Sequence, residues 1–188
     1  MKYLLICSAL LFTISSYAQK NDCAISIVTD DFNGKKKVHS KNTLIMEKLY
    51  LGDAMLGVTN KSPWRLTAGF WKEDELLLCV KHESSGHRET SIVDALDIKF
   101  KDGTVITLDA PIDGTFTKLS LKENQNQSTF FKLSKEQLAT FSTGLIVKTR
   151  VKFRDNPNDQ VVEKELNSAR AEKLQKEANC FRETISKL

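Results

Sequence analysis

Histidine is scarce in this chain, with three in 188 residues, and two of them fall close together in His82-Glu83-Ser84-Ser85-Gly86-His87. Two imidazoles beside a carboxylate are ingredients of a zinc hydrolase, whose helical motif sets its histidines four apart on one face. Here the spacing is five and Gly86 intervenes, so a helix cannot present both. A loop could gather His82, Glu83 and His87, but only the distant His39 remains as a further imidazole. The segment from His82 to Thr90 therefore reads as a polar, solvated connection between strands, and no metal or cofactor is expected. Thr29-Asp30-Asp31-Phe32-Asn33-Gly34 fails in a similar way as a calcium loop. That chemistry requires a carboxylate where Thr29 stands and a bidentate Glu where Ser40 stands. Asn-Gly is a tight-turn signal in its own right.

The sequence contains no Gly-x-Ser-x-Gly, phosphate loop, dinucleotide fingerprint or Cys-x-x-Cys. Acidic neighbours such as Asp30/Asp31 and Glu73/Asp74/Glu75 sit at turn positions, so no catalytic residue is assigned. The one charge pattern with geometry is Lys148, Arg150, Lys152 and Arg154, alternating with Val147, Thr149, Val151 and Phe153. A strand places all four cations on one face. They form a candidate binding ridge for an anionic glycan, a lipid headgroup or an acidic protein. The plainer alternative is the solvent face of an edge strand, where Lys and Arg discourage edge-to-edge pairing. Trp64, Trp71 and Tyr50 are candidates for a sugar-stacking platform, although aromatics in strands more often fill the core.

Four cysteines occur, and Cys7 lies in the opening apolar run. That run, residues 4–14, follows Lys2 and leads to Ser16-Tyr17-Ala18, which places small residues at −3 and −1 of a cleavage site. It has the length of a signal h-region and is too short for a comfortable membrane span. A signal peptide over residues 1–18 and a periplasmic or secreted body of residues 19–188 follow. Neither Cys7 nor Cys23 has the sequence context of a lipid-modified cysteine. Of the three remaining thiols, Cys79 sits in the apolar run Leu76-Leu77-Leu78-Cys79-Val80 and reads as an inert core residue. A Cys23–Cys180 disulfide is the pairing expected in an oxidising compartment, tying the two ends of the chain.

The elements that must position these residues are mostly strands. Leader removal lowers the net charge from +4 to +3, too mild for nucleic acid, and no later segment approaches transmembrane length. The 40% hydrophobic and 28% charged fractions are ordinary for one globular domain. Strands are expected at residues 24–28, 44–51, 65–71, 75–81, 117–121, 130–133 and 145–154. A hairpin at 96–109 turns on Asp102-Gly103, and polar tips fall at 82–90 and 122–128. Ser134 and Gln137 have the spacing of a capping box, which predicts a short helix at 135–141. Asn156-Pro157-Asn158-Asp159 breaks the following strand. From residue 161 to 187, apolar residues at 162, 166, 169, 174, 178, 181, 185 and 188 outline one helical stripe. The fold expected is mainly β (α+β): an antiparallel β-sandwich or partly open barrel with a short helix and a long C-terminal helix.

The leader ending Ser16-Tyr17-Ala18-Gln19, the opening Cys23-Ala24-Ile25 with Asp31-Phe32-Asn33-Gly34, and the late Leu133-Ser134-Lys135-Glu136-Gln137-Leu138 together resemble small exported β-rich proteins of the Bacteroidota type. The resemblance implies a setting and no catalytic residue. The expected role is an exported non-catalytic binding or envelope structural module. A hydrolase acting on envelope or extracellular polymers is the alternative.

Overall fold

The structure is a computed structural model that describes residues 23–50, 62–85, 92–109, 124–154 and 161–188. The expected leader, the strand at 117–121, the break at 156–159 and His87 lie outside the described residues. So do the side chains of Trp64 and Tyr50. Numbered in chain order, the strands are β1 (Ile25–Thr29), β2 (Lys36–Ser40), β3 (Thr43–Tyr50), β4 (Ser62–Lys72) and β5 (Leu76–Ser85). They continue with β6 (Val93–Phe100), β7 (Val105–Leu108), β8 (Asn124–Lys132), β9 (Ile146–Phe153) and β10 (Val161–Glu165). Helix α1 (Lys135–Thr143) precedes β9, and α2 (Ser168–Ile185) closes the chain.

All the pairings are antiparallel and build two sheets. The larger runs β1-β2-β4-β5-β8, with β3 also on β4, and the smaller runs β10-β9-β6-β7. Among the described residues the fold is thus mostly β in two antiparallel sheets with two helices, and no barrel closes.

Strands β2 and β3 share one edge of β4 and are in effect one bent strand, interrupted at Lys41-Asn42. The Phe70 N–H donates to Ser40 Oγ at 2.8 Å across the bend. Gly69 sits so close that a Cβ there would lie 2.2 Å from Asn42 Oδ1. Glycine at this position leaves room for the Asn42 side-chain tip, which would have to move aside for a Cβ, whereas the Asn42 backbone lies at ordinary contact distance.

The core lies between the sheets. Alternation along each strand buries Leu66, Ala68 and Phe70 of β4 and Leu78 and Val80 of β5 against Leu96, Ile98 and Phe100 of β6 and Val151 and Phe153 of β9. Phe141 of α1 makes edge-on ring contacts with Phe70 of the larger sheet and Phe100 of the smaller, at 5.4 and 5.6 Å. Phe181 of α2 joins Phe70 at 5.8 Å. The two helices therefore fill the space between the sheets that the strands leave open. Ser134 and Gln137 complete the capping box foreseen for α1.

Three expectations need correction. Residues 161–165 do not begin the last helix; they form β10, paired with β9. Val161-Val162 favours extended backbone, Glu163 and Glu165 fall opposite Arg150 and Lys148, and Asn167 caps the helix proper. Of the expected stripe, Leu174, Ala178 and Phe181 are buried, whereas Ala169 and Leu188 are exposed, and Ala171 and Glu177 are buried although the stripe did not include them. Residues 82–85 and 124–128 are strand rather than loop. Their polar sequences pair with each other in continuous register, His82 with Gln127 and Ser85 with Asn124. Ladder hydrogen bonding holds polar segments extended when each supplies the other's partner.

A Cys23–Cys180 disulfide joins the segment before β1 to α2 across 157 residues of sequence, and Cys79 is a buried free thiol. No helix among the described residues is long and apolar enough to cross a membrane.

Candidate functional site

Strand β9 sets Lys148, Arg150 and Lys152 on one outward side, with Thr149, Val151 and Phe153 buried on the other, and Arg154 follows the strand, exposed, just past its end. The strand is not an edge, however. It is flanked by β10 and β6, and both neighbours bring carboxylates to the row. Glu163 of β10 binds Lys148 and also accepts from Arg150 Nε at 2.5 Å. Asp97 of β6 lies 3.5 Å from the Arg150 guanidinium and accepts from Thr107 Oγ1 at 2.8 Å. Arg154 donates Nε and Nη2 to Asp94 Oδ1 at 3.0 and 2.9 Å. Hydrogen bonds from Lys148 and Arg150 hold the Glu163 carboxyl below its ordinary range, and the same carboxylate raises Arg150. Lys152 faces Ala95 and Val161 across the ladder and makes no ion pair among the described residues. The outer face of the smaller sheet is therefore an interleaved charge ladder, and three of its four cations are already engaged.

The outer face of the larger sheet is built differently. Trp71 of β4 stands at its centre and makes ring contacts with His39 of β2 and Phe130 of β8, both at 5.4 Å. All three side chains are partly exposed. Leu77 of β5, which is half-buried, pairs with Trp71 in register. The charges around this row are matched in pairs: Lys37 with Glu73 at 2.7 Å, Lys132 with Glu75 at 2.6 Å and Lys81 with Glu83 at 2.8 Å. Of the aromatics singled out in the sequence, only Trp71 has a described side chain, and its partners are His39 and Phe130. The missed signal was register. His39 and Trp71 are opposite one another, and Phe130 lies opposite Cys79 one strand further on.

Cys79 sits among these residues with its thiol pushed up to about 11 by burial, partly offset by a hydrogen bond with Ser128. At neutral pH it is a protonated, unreactive group. His82 corrects the loop reading. It is only 3% exposed, and its ring lies 5.1 Å from that of Phe153, at the contact between the two sheets. Its neighbour Glu83 points to the opposite face and binds Lys81. Alternation along β5 thus separates the imidazole from the carboxylate that the sequence had placed together. Among the described residues no group of three or more His, Cys, Asp and Glu side chains converges.

An open groove of about 620 Å³ runs between the β6–β7 turn and the helices, lined by Lys101, Asp102, Thr140, Thr143 and Gln175 among others. It holds one carboxylate, and Gln175 is engaged with the Thr143 carbonyl at 2.6 Å. Among its described lining residues no nucleophile is hydrogen-bonded to a base. No protein-family model, curated protein or solved structure matches the chain.

Proposed function

We propose that the chain is an exported, non-catalytic binding module whose ligand-facing surface is the outer face of the larger sheet, and that it takes a neutral, hydroxyl-rich glycan. The observation that carries this reading is the partly exposed row His39–Trp71–Phe130. The C–H faces of a sugar ring pack on aromatic rings, and neighbouring polar groups orient its hydroxyls. The matched ion pairs around the row supply both donors and acceptors while leaving little net charge to attract a polyanion. Export is supported by the leader-like residues 1–18 and by the Cys23–Cys180 bridge, a bond that persists in oxidising compartments. The basic row enters the proposal only as an auxiliary contact, because Lys152 is its one cation lacking a carboxylate among the described residues.

The test is retention on insoluble neutral polysaccharides, comparing the wild type with Trp71→Ala and with a variant carrying Lys148→Gln, Arg150→Gln and Lys152→Gln. Trp71→Ala is expected to weaken retention at least tenfold, with the triple variant unchanged. Binding to heparin or anionic liposomes that only the triple variant loses would move the site to the smaller sheet. Shortening of the polysaccharide chains would establish the hydrolase alternative.

A further inference from the structure

Among the described residues, the edges of the two sheets that pair with no further strand are not equally protected. Edge strand β10 carries Glu163, Lys164 and Glu165, and the four-residue β7 is bracketed by Lys101, Asp102 and Asp109. Strand β8 is rich in Asn and Gln and ends on Lys132. Strand β1 reads Ile25-Ser26-Ile27-Val28-Thr29, with no charge at any position, and lies at the end of the larger sheet. Ile27 and Val28 are 48% and 50% exposed, and Phe32 at the adjoining turn is fully exposed. Proteins ordinarily cover or charge an edge of this kind, because its unpaired backbone groups recruit another strand.

The hydrogen bonds at the two ends of the β1–β2 ladder show which backbone groups face away from β2. Lys41 N donates to Ala24 O at 2.9 Å and Asp30 N donates to Lys35 O at 2.8 Å, so the even-numbered residues of β1 face β2. By the alternation of an antiparallel ladder, Ile25, Ile27 and Thr29 aim their N–H and C=O groups outward. Both ends of this outward row are fixed. Before it, Cys23 is bonded to Cys180 of α2. After it, the Asp30 carboxylate accepts from Phe32 N and Asn33 N at 2.9 and 3.2 Å, and Gly34 adopts φ +68°. The edge is thus held extended before any partner arrives, which lowers the ordering cost of pairing.

From this edge we propose that β1 pairs antiparallel with β1 of a second copy about a two-fold axis through Ile27, joining two larger sheets into one. That register sets Ile27 opposite Ile27 and Ile25 opposite Thr29, so the three outward residues of each copy exchange about six backbone hydrogen bonds. Each β-branched residue then faces another uncharged residue, the favourable case for cross-strand packing. The same register carries the acidic Asp30 and Asp31 of each copy toward the strand end where Lys41 of the other is exposed beside Ala24. This complementarity of like segments favours a second copy over an unrelated strand. The contact is small, so the association is a weak one.

The test is sedimentation equilibrium of the intact mature protein, with its disulfide formed, up to millimolar concentration. The wild type is expected to show a concentration-dependent monomer–dimer equilibrium. Ile27→Lys and Val28→Lys each place a charge on the edge at an exposed position. Each should weaken dimerisation at least tenfold, with circular dichroism and melting unchanged. Val161→Lys puts the same charge on edge strand β10 of the smaller sheet, at an exposed position, and should leave dimerisation unaltered. A wild type that stays monomeric throughout would overturn the proposal. So would a dimer that survives both β1 variants, or one that Val161→Lys dissociates.

Discussion

The outer faces of the two sheets share one core and one strand geometry, yet they carry opposite chemistry. On the smaller sheet, Arg150 is flanked across the ladder by Asp97 and Glu163, and most charges there are spent on one another. On the larger sheet, paired ions surround a row of partly exposed rings centred on Trp71. Charge alternation within one strand therefore says little about what a face offers, because cross-strand neighbours decide whether those charges are available. Exposed ion pairs add little to stability. Half-exposed aromatics leave apolar area uncovered, and it is that uncovered area that can gain from a ligand.

Perturbations of graded size separate the two faces. The largest effect belongs to the disulfide, which anchors the β1 end of the larger sheet. Replacing Cys23 and Cys180 by Ser should cost roughly 2–5 kcal/mol in urea unfolding. Native-state hydrogen exchange should then rise first in β1 and α2, before the smaller sheet. Equal acceleration in β6 and β9 would show that the sheets do not differ in how they are anchored.

Next in size is Gly69→Ala, on the outward side of β4. The added methyl meets Asn42 Oδ1, the tip of a side chain that can move aside, so a loss of about 1 kcal/mol is expected. Adding Asn42→Ala should recover much of it, since residues in contact do not add independently. Failure of the second substitution to rescue would mean that the bend between β2 and β3 is held by something other than this contact.

Two carboxyls give opposite pH signatures. Burial pushes Glu177 up, against the pull of Lys173, Lys41 and Lys176. A carboxyl raised in the folded state stabilises below its unfolded value and loses that contribution as pH rises through the folded value. Glu177→Gln should therefore raise stability by about 1 kcal/mol at neutral pH, with the gain shrinking toward pH 4. Glu163 is held down by Lys148 and Arg150. Its contribution is present above the ordinary carboxylate range and is lost as pH falls through the lowered value. Glu163→Gln should change stability least of all these variants. It should lengthen retention on heparin, because Lys148 is released and Arg150 keeps only Asp97. Unchanged retention would mean that the ladder does not mask the row.

Much of the fold was legible because its signals are local. The alternation of Leu96, Ile98 and Phe100, the Ser134–Gln137 box and the Leu174–Phe181 stripe all act within a few residues. The Cys23–Cys180 pairing was reachable by elimination among three thiols. The polar strands at 82–85 and 124–128 were not legible, because their stability comes from pairing with each other over some forty residues of sequence. The start of α2 was misplaced for a related reason: Glu163 and Glu165 look like helix surface until Arg150 and Lys148 are set opposite them. The candidate site suffered most. His39, Trp71 and Phe130 are far apart in sequence and become neighbours only through the register of β2, β4, β5 and β8.

The most direct measurement is a nuclear magnetic resonance titration of the isotope-labelled mature protein with a soluble neutral oligosaccharide, following backbone amides and aromatic side chains together. Shifts concentrated at His39, Trp71, Leu77 and Phe130, with residues 148–154 unmoved, are the expected result. Shifts confined to 148–154, or none anywhere at saturating sugar, would contradict the assignment of the larger sheet as the binding face.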